Sequence, residues 1–201
     1  MARKTAGRTA EASKGDFVER DFSALRGLRD IPDSLIEAHL KLYSGYVVNS
    51  RLLRQRLADS DPESPEWAEM QRRMGFEING MRLHELYFEN LRPDGTGVSQ
   101  ETIDLIGESW KTTTAWEREF RAIGAMRGVG WAILYRDPVT QRLSHHWIGR
   151  HQDGHPAGFA PILVMDVWEH AFTGMERGRY IDAFFANLDW EEVAARLRDD
   201  R

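Results

Sequence analysis

Late in the chain the apolar run Pro161-Ile162-Leu163-Val164-Met165 stops at Asp166, and His170 follows four residues later. An apolar run of this length reads as a buried strand. Asp166 then leaves the strand end, and His170 returns to the same point as the chain turns into a helix. A carboxylate oxygen and an imidazole nitrogen converging beside a buried strand suit a divalent or trivalent first-row metal. Only two donors are local. The fold must therefore carry histidines from distant segments to this strand end, which restricts it severely.

Composition narrows the classes. The chain has 201 residues, 41% hydrophobic and 29% charged, enough for one large or two small packed units. It has no cysteine, which excludes disulfides, zinc-thiolate sites and thiol nucleophiles. No apolar run approaches the ~18 residues that span a bilayer. Residues 1–20 are slightly basic, lack a secretory apolar core and contain Glu11 and Asp16, which argues against a transit peptide. They read as a flexible tail. The net charge is -5 and the basic residues are dispersed, so no nucleic-acid stripe is expected. Gly128-Val129-Gly130 precedes a strand rather than a helix, so it is no phosphate cradle. A soluble cytoplasmic protein without a membrane or nucleic-acid partner is expected.

The periodicity predicts an α+β protein. Ser34 with Glu37 three residues on has a capping-box pattern and opens a helix running to about Leu57. The stretch Asp59-Ser60-Asp61-Pro62-Glu63-Ser64-Pro65 breaks it. A second helix fits from about Glu66 to Leu91, giving a long antiparallel α-helical hairpin over 21–93. An α/β domain follows over 94–201. It begins with a helical stretch from about Ser99 to Met126, whose apolar face is Ile103, Ile106, Trp110, Trp116 and Phe120. Trp131 to Tyr135 is a strand by composition, Asp137-Pro138 a turn, and Gln141 to Ile148 its hairpin partner. With the strand ending at Asp166 this makes a three-stranded antiparallel sheet. Tyr180 to Leu197 reads as helix again.

Seven histidines can now be placed: His39, His84, His145, His146, His151, His155 and His170. His39 lies mid-helix with Tyr43 and Tyr46 at i+4 and i+7 on the same face. His84 lies in the second helix. Either alone would read as a core histidine bonded to a carbonyl. Two on paired helices, together with Asp166 and His170, form a plausible closed set for one iron or manganese ion. Zinc fits the donor types but does no redox chemistry. His145, His146 and His155 suggest a second metal site or a redirected active-site loop. A solvated hairpin edge is the simpler reading.

Four stretches carry a family resemblance in the right order over about residues 30–200. They are Asp166-Val167-Trp168-Glu169-His170-Ala171, Gly128-Val129-Gly130-Trp131, His84-Glu85-Leu86-Tyr87-Phe88-Glu89-Asn90-Leu91, and Tyr180 to Phe184 with Asn187-Leu188-Asp189-Trp190. The chain resembles the iron/manganese superoxide dismutases. The resemblance implies Fe or Mn, one ion per subunit, bound by His39, His84, Asp166 and His170. It implies disproportionation of superoxide to oxygen and hydrogen peroxide by M(III)/M(II) cycling. The alternative is a metalloprotein of the same fold with altered oxygen or peroxide chemistry, or with no dismutase activity.

The resemblance also assigns roles around the metal. His151 falls where relatives place the residue bonded to the coordinated solvent, with Gln152 as fallback if the loop carries an insertion. Tyr46 looks like the gateway tyrosine, so Tyr46 and His151 are the implied catalytic pair. Trp131 and Trp168 would wall the pocket, and Gly80 matches relatives that supply no glutamine from the second helix. Arg82 and Arg150 are candidates for steering a small anion. Glu169 resembles the residue that reaches a partner subunit's ligand histidine. That implies a homodimer through the Glu169-His170 region, with a tetramer also open.

Three departures stand out. Tyr43 occupies the position of a usual second histidine, and Thr173 stands where a tyrosine is common. The spacing from His39 to Tyr46 is seven where eight is common; one deletion in the helix, such as the loss of a π-type bulge, reconciles it. A gapless reading instead puts Ala38 at the ligand position.

Overall fold

The computed structural model describes residues 16–198. Helix α1, Asp33–Asp59, packs along α2, Pro65–Glu89, as the hairpin expected. The buried face of α1 is Leu35, Ile36, His39, Tyr43, Val47 and Ser50, at the spacing of three and four that one helical stripe requires. Ser64 caps α2 by accepting from the Trp67 N–H at 3.1 Å, and Pro65 sits where a missing N–H costs nothing. The capping box expected at Ser34 does not form. Pro32 fixes the extended backbone at the helix start and leaves Ser34 inside the first turn. Asp33 instead accepts from the Gly27 N–H at 2.8 Å, and Glu37 pairs with Arg26 at 3.2 Å.

The stretch expected as a single helix is two: α3, Gln100–Trp110, and α4, Thr113–Gly124. Lys111 breaks it with φ 65°, donating its N–H to the Gly107 carbonyl at 2.9 Å. Thr112 then caps α4 by accepting from the Ala115 N–H at 3.1 Å. A threonine hydroxyl competes with the helix ladder and serves better at a cap than inside a helix.

The sheet has strands β1, Gly130–Arg136, β2, Leu143–Gly149, and β3, Ala160–Asp166, in the order β2-β1-β3, all antiparallel. β1 is central and buried along its whole length, and its Trp131 lies opposite both Ile148 and Asp166. β3 packs against α2, which brings the strand end to the helical hairpin. After β3 the chain makes only a single 3-10 turn, Glu169–Ala171, rather than the helix expected there. The final helical stretch is also two pieces, α5, Arg177–Ala186, and α6, Trp190–Arg198.

Two buried asparagines join the halves. Asn187 accepts the Arg29 N–H at 2.7 Å and donates to the Arg29 carbonyl at 2.8 Å. Asn90, at the end of α2, accepts the Val164 N–H at 2.9 Å, and its backbone carbonyl accepts from Asp189. Of the stretch 1–20 expected as a tail, residues 1–15 lie outside the described residues. Asp16 to Arg20 run along the hairpin, with Asp16 paired to Arg54, the Phe17 carbonyl bonded to Arg51, and Arg20 paired to Glu89. Among the described residues no helix is long and apolar enough to cross a membrane.

Candidate metal centre

Four side chains from three distant segments meet at one point. Unbroken α-helix carries His39 from α1 and His84 from α2, β3 ends on Asp166, and the turn after it brings back His170. One donor atom from each lies within 4.8 Å of the others. Asp166 Oδ2 is 3.1 Å from His39 Nε2, 3.1 Å from His170 Nε2 and 3.6 Å from His84 Nε2. Local bonds aim this carboxylate. Its Oδ1 accepts the Trp168 N–H at 2.8 Å, and the Asp166 carbonyl accepts the Tyr180 hydroxyl at 2.7 Å. Because α1 is continuous and turns His39 inward, His39 and not Ala38 is the α1 ligand.

The donor set fits a first-row ion. His84 Nδ1–H donates to the Gly80 carbonyl at 2.5 Å, which leaves Nε2 as a bare lone pair facing the cluster. That Nε2 is buried and has no hydrogen-bond partner, a costly state for a nitrogen that binds nothing. Donors bonded to one ion at about 2.1 Å and at right angles stand about 3 Å apart, close to the separations around Asp166. Burial lowers the pKa of His39 and holds that of His84 well below the ordinary value. Burial alone would raise Asp166, but the contacts from His170 and His39 outweigh it and hold the carboxyl well below the usual range. Anionic Asp166 beside His39 and His84 held as neutral bases is a site for a cation.

Tyr46 and His151 lie against one side of this cluster. The Tyr46 ring is 5.2 Å from the His84 ring, and His151 Nε2 is 2.8 Å from the Tyr46 oxygen. The proton positions follow from Trp131, whose indole can only donate and does so to His151 Nδ1 at 3.1 Å. Burial lowers His151 to about 4, so the ring is neutral and its proton sits on Nε2. Nε2–H therefore donates to Tyr46, and the Tyr46 hydroxyl proton is free to be given elsewhere. Burial raises that phenol to about 12. Gln152, the fallback, is exposed. Trp131 meets His84 edge-on at 5.0 Å, while Trp168 stacks on His151 at 4.8 Å and on His170 at 5.8 Å.

The model of iron/manganese superoxide dismutases, C-terminal domain, matches residues 98–196. A manganese superoxide dismutase of Haloarcula marismortui is 40% identical over 119 residues, 57% of this chain and 58% of that protein. An iron superoxide dismutase of Aquifex pyrophilus is 33% identical over 191 residues, 89% of each chain. The chain belongs to the iron/manganese superoxide dismutase family. The match to the Aquifex protein spans both halves, whereas the matches to the proteins of Haloarcula marismortui, Halobacterium salinarum and Haloferax volcanii cover less than two thirds of their lengths. The relatives include manganese and iron proteins, so Fe or Mn is the metal to which His39, His84, Asp166 and His170 correspond.

Some residues around this centre were not legible in the sequence, or stand otherwise than it suggested. Phe76 lies 4.4 Å from the His151 ring, and Arg73, paired to Glu77 at 2.6 Å, stacks over Phe76 at 4.0 Å. Only their helical spacing from Gly80 and His84 could have signalled it. Arg82, expected to steer anions, is committed to Glu85 at 2.6 Å, and Arg150 is exposed with φ 52°. At the departures, Tyr43 donates to Glu85 at 3.0 Å and accepts the Arg20 N–H at 2.9 Å, and Thr173 is exposed, donating to the Glu169 carbonyl at 3.0 Å. The histidines 145, 146 and 155 form no cluster, because neighbours on a strand point to opposite faces. The His145 side chain is buried, not on a solvated edge: it bonds Glu119 at 2.9 Å and stacks on Trp110 at 4.3 Å. His146 bonds Ser144, and His155 bonds Tyr135.

Proposed function

We propose that the chain is a superoxide dismutase, with Tyr46 and His151 as the catalytic pair beside the ion held by His39, His84, Asp166 and His170. The observation that carries this is the convergence of four donors on one point, with His84 Nε2 left bare there. Bound iron or manganese supplies a one-electron couple that can oxidise one superoxide and reduce the next. Asp166 adds the negative charge that favours the higher oxidation state. Gly80 fixes the His84 ring, and Trp131 fixes the tautomer of His151. Held in this way, Tyr46 keeps its proton at neutral pH and presents it on the side away from His151 Nε2–H. Reduction of superoxide to peroxide consumes protons, and the Tyr46 hydroxyl, whose oxygen accepts from His151 Nε2–H, is placed to give one. Trp131, Trp168 and Phe76 keep bulk water from the pair.

The same reading includes a cytoplasmic location, a homodimer, and a division into a helical unit, 21–93, and an α/β unit, 94–201. Support for the dimer comes from Glu169, which is exposed beside His170 and, among the described residues, has no ion pair. An apolar groove of about 290 Å³ lined by Leu35, Ala38 and Leu42 reaches His39 and His170 at the same face.

The test is superoxide decay on protein loaded with iron or manganese, set against His170→Ala. Wild type should be at least about 100-fold faster, with the variant depleted of metal. Loaded wild type no faster than the variant overturns the proposal.

A further inference from the structure

His155 has no place in the reading above, yet its two ring nitrogens are both engaged. Nε2 lies 2.9 Å from the carbonyl oxygen of His151, and Nδ1 lies 2.6 Å from the Tyr135 hydroxyl. A carbonyl can only accept, so Nε2 carries the proton and donates. In the neutral ring Nδ1 is then an acceptor, and Tyr135 donates to it. Every donor in this chain has an acceptor, so the direction is fixed from Tyr135 through His155 to the backbone of His151.

The two ends differ in rigidity. Tyr135 belongs to the central strand β1, is 2% exposed, and is paired on both sides, with Ser144 and Pro161. His151 lies in the connection between β2 and β3, where Arg150 and Gly154 have φ values of 52° and 104°. Its turn is closed by Gly149 and Asp153, which exchange backbone bonds at 2.8 and 3.1 Å. Those bonds shape the turn. Beyond them, the Trp131 bond reaches the His151 ring from β1, and His155, four residues on in the same connection and itself tied to Tyr135 of β1, bonds its carbonyl.

We infer that His155, anchored by Tyr135, is a positioning residue that holds the His151 backbone so that His151 Nε2–H meets Tyr46. It touches neither the metal ligands nor Tyr46 and acts through His151 alone. The catalytic importance of the Tyr46–His151 contact rests on the proposed dismutase reading; the positioning itself is a claim about structure. A displacement of a reacting group by about 1 Å can cost on the order of 100-fold in rate.

Three metal-loaded variants decide it. His155→Ala removes both bonds, Tyr135→Phe removes the anchor on an intact strand, and His155→Gln can reproduce both, since its amide donates from nitrogen and accepts at oxygen. Crystal structures of the loaded proteins should show the His151 Nε2 to Tyr46 contact opened beyond ~3.5 Å in His155→Ala and kept in His155→Gln. Superoxide turnover per bound metal should fall on the order of tenfold in His155→Ala, less in Tyr135→Phe, and recover in His155→Gln. An unchanged His151–Tyr46 contact in His155→Ala overturns the inference, as does a glutamine variant as impaired as the alanine one at equal metal content. If His155→Ala fails to fold, Tyr135→Phe carries the same two readouts. Wild type that binds metal without turning over superoxide overturns the dismutase reading and leaves the crystallographic comparison to judge the positioning.

Discussion

A Cβ at position 80 would meet the Tyr46 ring at 2.5 Å, so Gly80 is held to a bare hydrogen by the residue it faces. Its carbonyl also orients His84. Gly80→Ala should keep all four metal ligands but displace the Tyr46 ring, lowering turnover per metal on the order of tenfold. Metal analysis with steady-state kinetics checks this, and full activity would show that Tyr46 tolerates displacement. His145 makes a second prediction. Burial lowers it to about 4 from the 6.5 of an exposed imidazole. The folded state therefore binds fewer protons than the unfolded one between those values, and stability falls as pH drops through 6.5 and levels off near 4. Between pH 7 and 5, wild type should lose about 2 kcal/mol more than His145→Gln, which does not titrate. Urea unfolding at the two pH values measures the difference. The four ligands were legible in the sequence because their types and motifs are chemically specific. The contacts of His145 with Glu119, His155 with Tyr135 and Phe76 with His151 were not, since each joins residues 20 or more apart in the chain.

Lys111 is the weakest point of an otherwise regular helical stretch, with φ 65° and ψ -36° outside the range comfortable for an L side chain. Glycine pays no such strain, so Lys111→Gly should stabilise the fold by about 1 kcal/mol. A rise in thermal midpoint with unchanged metal content is the readout; a fall would mean that the lysine side chain contributes more than the strain costs. Element types were well foreshadowed. The three strands and the hairpin follow from apolar runs, proline and capping residues that act locally. The breaks were not: Ile103, Ile106, Trp110, Trp116 and Phe120 describe a face that two packed helices share as readily as one. The false capping box at Ser34 has the same origin, because Pro32 and the Gly27–Asp33 bond decide where α1 begins.

At the scale of the whole molecule, the centre is a junction. His39 and His84 come from the hairpin, and Asp166 and His170 from the α/β half, so a bound ion ties the two together. In a homodimer built on the Glu169 face, Glu169→Ala should raise the dimer dissociation constant at least about 30-fold, since truncating one member of a buried charged pair costs about 2 kcal/mol or more. Sedimentation of wild type and variant checks it, and a wild type that stays monomeric at micromolar concentration ends the dimer proposal. Asn187 and Asn90 stand in stretches that carry the resemblance, but their role in joining the halves was not legible, because a buried asparagine is recognised only by what it bonds. Their placement bears on the order in which a growing chain can mature. While the ribosome is still making the second half, the emerging hairpin offers two of the four donors, both imidazoles, and lacks the Asp166 carboxylate. Arg29 meanwhile waits for an amide that is translated 158 residues later. Two nitrogens alone grip a passing ion weakly, so commitment to a metal is deferred until Asp166 and His170 have been made.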